Sequence, residues 1–168
     1  MGGRSWMESA SSDGKTEVTS DLFMQTLGAI SEAFSRIEKP PHFCNHNHCS
    51  ECAEHDQTLC DHTRESITYR QLGNAGWDPI CFINSDQGFQ YYLPALARLA
   101  TKLDDEYYLD QFLFHLNDER IGALTDSQRS LLAKFLEELL DHMPDEIDNN
   151  LDADETLTTI IRLRRKAS

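Results

Sequence analysis

The chain has 168 residues, 39% hydrophobic and 26% charged, with a formal net charge of −14, the make-up of a soluble protein able to bury one core. That acidity excludes generic binding to nucleic acid or an anionic membrane, because phosphate contacts need a basic surface. No stretch approaches the roughly 18 apolar residues of a membrane span, and the opening MGGRSWMESASSDGKTEV lacks the apolar region of a secretory signal. A cytoplasmic protein is therefore expected, where clustered cysteines are more often metal-binding, catalytic or reduced than disulfide-bonded.

Residues 1–19, rich in Gly, Ser and charge, are expected to be disordered. Residues 20–165 are expected to form a single, mainly α domain. Ser20 or Asp21 caps a first helix whose apolar stripe is Phe23, Leu27, Ile30, Phe34 and Ile37, spaced at helical period. Pro40 and Pro41 end it. A Cys/His-rich run follows, and its second half, about residues 50–63, reads as a polar helix. The stretch Leu72-Gly-Asn-Ala-Gly-Trp-Asp-Pro79 is rich in turn formers, with Trp77-Asp78-Pro79 anchoring a turn to the core. Ile80-Cys-Phe-Ile83 is too short to tell strand from buried turn.

Ser85 or Asp86 starts the next helix, holding Phe89, Tyr92, Leu93, Leu96 and Leu99. Pro94 inside it implies a kink, or a helix that begins near it. The segment YYLDQFLFHL, Tyr107 to Leu116, is a buried helix in which His115 reads as a satisfied core histidine. Thr125-Asp-Ser-Gln128 is a capping box opening a helix with Leu131, Leu132, Phe135, Leu136, Leu139, Leu140 and Met143 on one side. Pro144 stops it, and a last helix spans residues 153–165.

Four of the five cysteines and five of the seven histidines fall between His42 and His62, a density that packing does not explain. Zinc takes four N or S ligands, and Cys-x2-Cys lets two thiolates reach one ion. Cys49 and Cys52 have that spacing. The tidiest set is Cys49, Cys52, Cys60 and His62, with Cys44, His46, His48 and His55 as further candidates. On a helix, Cys49, Cys52 and His55 lie at i, i+3 and i+6. The same residues admit two other readings: a reduced polar helix without metal, or thiol chemistry in which a nearby His lowers a thiol pKa. No H-E-x-x-H motif, Ser-based elbow, phosphate-cradling glycine loop or Rossmann fingerprint is present.

From Glu137 to Glu155 there are nine carboxylates and no Lys or Arg, after which come Arg162, Arg164, Arg165 and Lys166. The plain interpretation is a solvated acidic face partly neutralised by the tail; the sharper one is a surface that steers a basic partner. The segment Asp148 to Glu155 imitates the front of a calcium loop but carries Ala153 and Thr159 where such a loop needs Gly and Glu. Asp152 and Glu155 are expected instead to cap the last helix.

Three segments resemble a group of small, uncharacterised bacterial proteins: His48-Cys-Ser-Glu-Cys52 with His55-Asp56, Gly73-Asn-Ala-Gly-Trp-Asp-Pro-Ile-Cys-Phe82, and Phe89-Gln-Tyr-Tyr-Leu-Pro-Ala-Leu96. That resemblance spans about residues 20–143 and implies no activity. The expectation is a non-enzymatic acidic interaction protein, of inhibitor, immunity or adaptor type, with a basic protein partner and a zinc site at Cys49, Cys52, Cys60 and His62. The alternatives are a metal- or thiol-dependent enzyme centred on Cys49, Cys52 and His55, and a polyanion mimic that blocks a nucleic-acid-binding protein.

Overall fold

The computed structural model describes residues 13–103 and 105–165, and their regular structure is entirely helical. In chain order the α-helices are α1 (Asp13–Ala33), α2 (Ser50–Asp61), α3 (Tyr69–Leu72), α4 (Asp86–Ala100), α5 (Leu109–His115), α6 (Asp118–Gly122), α7 (Asp126–His142), α8 (Pro144–Asn149) and α9 (Ala153–Arg164). Two short 3-10 helices, Ala75–Trp77 and Pro79–Phe82, lie between α3 and α4. No helix among the described residues is long and apolar enough to cross a membrane.

The buried apolar side chains form one cluster that draws on almost every helix. At its centre α7 packs on α1, α8 and α9, and α4 packs on α1 and α5. The sequence dictates this directly. In α7 the buried set is Leu132, Ala133, Phe135, Leu136 and Leu139, the i, i+3, i+4, i+7 stripe that a helix buries. Its start is fixed by a two-way cap, in which Thr125 Oγ1 accepts from Gln128 N at 3.2 Å and Gln128 Oε1 accepts from Thr125 N at 3.0 Å. Helix α4 is capped by Ser85, whose Oγ accepts from Gly88 N at 3.1 Å. A Cβ at Gly88 would lie 2.9 Å from Ile83 Cγ2 and 3.1 Å from Phe43 Cδ1, so a glycine there lets α4 approach the ligand-rich loop.

Several boundaries differ from the sequence reading. Helix α1 starts at Asp13 and ends at Ala33, with a turn over residues 34–36, so neither the expected cap at Ser20 or Asp21 nor the proline pair sets its ends. Of residues 1–19, expected to be disordered, 13–19 belong to α1 and 1–12 lie outside the described residues. Helix α4 runs continuously through Pro94 rather than beginning there. Ile80-Cys-Phe-Ile83 is a 3-10 turn and not a strand. Pro144 ends α7 by becoming the first residue of α8, its fixed φ and missing N–H costing nothing at that position. Asp152 sits at the α9 N-cap without capping through its side chain, because its Oδ2 accepts instead from Tyr107 Oη at 2.6 Å.

Candidate functional site

The N-terminus of α2 gathers three ligand atoms. Cys49 is the N-cap residue in an extended conformation (φ −160°, ψ 173°), and its sulfur accepts from Cys52 N. One turn of helix brings Cys52 Sγ to 3.4 Å from Cys49 Sγ, and His48 Nδ1 lies 3.6 Å from Cys52 Sγ. The three donor atoms lie within 4.8 Å of one another, with His48 and Cys49 exposed and Cys52 half-buried. A tetrahedral ion with metal–sulfur bonds of about 2.3 Å and a metal–nitrogen bond of about 2.0 Å needs edges of about 3.8 and 3.5 Å. The donor set and spacing therefore fit a zinc-class ion. The Cys52 amide, then the His48 ring and the Cys52 thiol, hold the Cys49 thiol down at about 7, while Cys52 itself is raised, first by its bond to Cys49.

The loop that carries this group is tied down by Asp56, from the second turn of α2. Its buried carboxylate accepts from Phe43 N at 2.7 Å and Cys44 N at 3.0 Å through Oδ1. Its Oδ2 lies 2.7 Å from His42 Nδ1. Burial disfavours the charge, but the His42 bond and the two amides outweigh it, so the carboxyl sits below its ordinary range. Phe43, fully buried, drives a ring against Tyr92 at 5.1 Å. Loop, helix and core are thus joined at one aspartate, a residue that sequence reading did not single out because an acidic side chain on a polar helix gives no signal of burial.

The four-ligand set read from sequence is not brought together. Cys52 and Cys60 are eight residues apart on α2, about 12 Å along its axis, too far to share an ion. Cys60 falls instead into a second group with His42 and Asp56, where burial and then the Asp56 charge raise its thiol. His62 turns back on its own helix, Nδ1 lying 2.8 Å from Thr58 O. Cys44 is buried, and burial followed by Asp56 pushes its thiol up to about 12. His46 stacks on His42 with ring centroids 3.8 Å apart. His55 is also removed from the thiol pair: its ring is buried between Phe82 at 4.1 Å and Trp77 at 4.6 Å.

A third group, Asp78, Cys81 and His115, lies under the 3-10 turns. His115 Nε2 is 2.7 Å from Asp78 Oδ2, and Arg120 Nη1 is 3.2 Å from His115 Nδ1. Arginine only donates, so Nδ1 accepts and Nε2–H donates to Asp78. Both ring nitrogens are thus already engaged, and His115 is a satisfied core residue. Asp78 also caps the Pro79–Phe82 turn, its Oδ1 accepting from Ile80 N at 2.9 Å. The anchoring expected of Trp77-Asp78-Pro79 thus falls to Asp78 and Pro79, both buried, while Trp77 is 43% exposed.

Five of the nine carboxylates from Glu137 to Glu155 are engaged within the chain. Glu137 takes both oxygens to Arg164 Nη2 at 2.7 and 2.8 Å, Glu138 accepts from Thr26 Oγ1 at 2.6 Å, and Asp152 holds Tyr107. Glu146 faces Lys102 and Glu155 faces Arg162. Asp141, Asp145, Asp148 and Asp154 remain exposed. The basic tail therefore neutralises part of the acidic face, as its sequence position implied.

Fold and site together define an all-helical domain with a cysteine–histidine group at a helix N-terminus. No family model, no curated protein and no solved structure matches this chain.

Proposed function

We propose that the chain is a non-enzymatic, metal-carrying interaction protein. His48, Cys49 and Cys52 hold a zinc-class ion, and the acidic body meets a basic protein partner in the cytoplasm. The observation that carries the metal half is the convergence of two thiols and an imidazole within 4.8 Å of one another, with Cys52 Sγ 3.4 Å from Cys49 Sγ and 3.6 Å from His48 Nδ1. Support for the interaction half is the net charge of −14 together with the exposed Asp141, Asp145, Asp148 and Asp154. If the basic partner is itself a nucleic-acid-binding protein, the same surface acts as a polyanion mimic, and steep salt dependence of binding to a basic target would favour that case over a hydrophobic interface.

Elemental analysis of untagged protein tests the metal half, with about one zinc per chain expected. Cys49→Ser or Cys52→Ser should abolish it, whereas Cys60→Ser and His62→Ala should retain it. Absence of metal, or its survival after loss of both Cys49 and Cys52, refutes the assignment. A second reading, thiol-dependent chemistry, is favoured by the exposed position of Cys49 at the α2 cap with another thiol 3.4 Å away. Thiol labelling separates the two. Metal binding predicts that Cys49 and Cys52 become reactive together on adding chelator, and thiol chemistry predicts one hyper-reactive cysteine with or without it.

A further inference from the structure

Between α5 and the two 3-10 turns lies a pocket of about 290 Å³, lined by Ala75, Asp78, Cys81, Asp110, Gln111 and Phe114. Its size is at the low end for ligand sites, suited to one side chain or a small amine. Its polar wall is made of acceptors. Gln111 is 9% exposed; its Nε2 donates to Gly73 O at 3.0 Å, while its Oε1 has no partner among the described residues. An unmet buried acceptor is costly unless something donates to it. Beside it stands the exposed carboxylate of Asp110, whereas both oxygens of the neighbouring Asp78 are already engaged by Ile80 N and His115. The fully buried Tyr108 hydroxyl is a second polar atom without a partner among the described residues, and after burial it is Asp78, Cys81 and Asp110 that most oppose its ionisation, which places it in the same acidic surroundings.

At the pocket's rim Phe114 is 72% exposed, a large ring left in water on a helix that otherwise buries its apolar residues. Arg120 does not fill the pocket. It donates to Ile80 O at 2.9 Å, and its guanidinium lies over the Phe89 ring at 4.2 Å. A site that offers negative charge, an unmet acceptor and an aromatic face asks for a cation with N–H donors and an apolar stem.

We propose that this pocket binds a guanidinium or primary ammonium group on an aliphatic stem, with Asp110 and Gln111 Oε1 as acceptors and Phe114 against the stem and charge. A basic protein's arginine or lysine side chain carries that chemistry, and so does a free alkylguanidine or alkylamine. Only the first source rests on the proposed basic partner.

Amide NMR titration of the full chain with capped arginine, butylguanidinium and capped citrulline tests the assignment. Both cations should give saturable shifts confined to residues 75–81 and 110–114, and neutral citrulline should give none. Asp110→Asn should weaken capped arginine at least about tenfold, with Phe114→Ala, an exposed position, also weakening it. Tighter binding of capped arginine than of butylguanidinium supports the pocket with a protein side chain as its source; the reverse supports it with a free amine. No localised shift, equal shifts with citrulline, or unchanged affinity in Asp110→Asn overturns the proposal. Metal stoichiometry and partner capture, read on the same preparations, are unaffected by that failure, so the pocket and the proposed function fall separately.

Discussion

Replacing Asp56 by alanine removes the acceptor of two buried backbone amides, Phe43 N and Cys44 N, and the partner of His42. Each amide left without a partner costs about 1–3 kcal/mol. The His42 pair adds only about 0–1 kcal/mol, because that ring is 52% exposed. Allowing the loop to relax toward water, the expected loss is about 3 kcal/mol. With an m-value of about 2 kcal/mol/M, this moves the urea midpoint by about 1.5 M. Asp56→Asn keeps one acceptor and should lose about half as much. Acid titration gives an independent check. Because the folded-state carboxyl lies below its ordinary value of 3.8, the unfolded chain takes up the proton first. The clamp therefore contributes fully above about pH 4, and its contribution is lost as pH falls through the folded-state value. Asp56→Asn should remove that part of the acid slope. A loss under about 0.5 kcal/mol in Asp56→Ala, with an unchanged acid slope, would refute the clamp.

Phe43→Ala should destabilise by about 3–5 kcal/mol in the same urea assay, the cost of emptying a fully buried aromatic site. Gly88→Ala should cost about 1–3 kcal/mol, since the new methyl meets Ile83 and Phe43 at 2.9 and 3.1 Å. Leu151 holds φ at 62° while 88% exposed, so Leu151→Gly should relieve about 1 kcal/mol of backbone strain and raise Tm by about 2–4 °C in calorimetry. Tyr107→Phe should lose about 1 kcal/mol by removing the donor to Asp152.

Elements with strong local signals were legible from sequence. The Thr125–Gln128 box places α7, Ser85 places α4, and the polar run after Cys49 is α2. What escaped was short or polar. Helices α3, α6 and α8 have four to six residues, less than two turns, so no periodicity can show. The first turns of α1 are polar, and only a helix seen in three dimensions extends to Asp13. In the candidate site, Cys-x2-Cys correctly paired Cys49 with Cys52, because that spacing is one helical turn. Telling which other candidates lie near that pair required knowing that Cys60 lies two turns further along the same rigid rod, and that His55 faces the core. Spacing in sequence cannot report on which side of a helix is buried by a distant segment such as Trp77 and Phe82.

The position of His48, Cys49 and Cys52 at the solvent-facing lip of α2, on a loop secured separately by Phe43 and Asp56, has a kinetic consequence. Structural zinc buried within a domain leaves only when the domain opens. Here the anchor and the proposed ligands are different residues, and two of the three donors are exposed, so an incoming thiol could reach an ion bound there from outside and displace the donors one at a time. The residence time of a bound ion would be governed by ligand substitution rather than by the unfolding rate, and the protein would surrender its metal to a competing chelator while remaining folded.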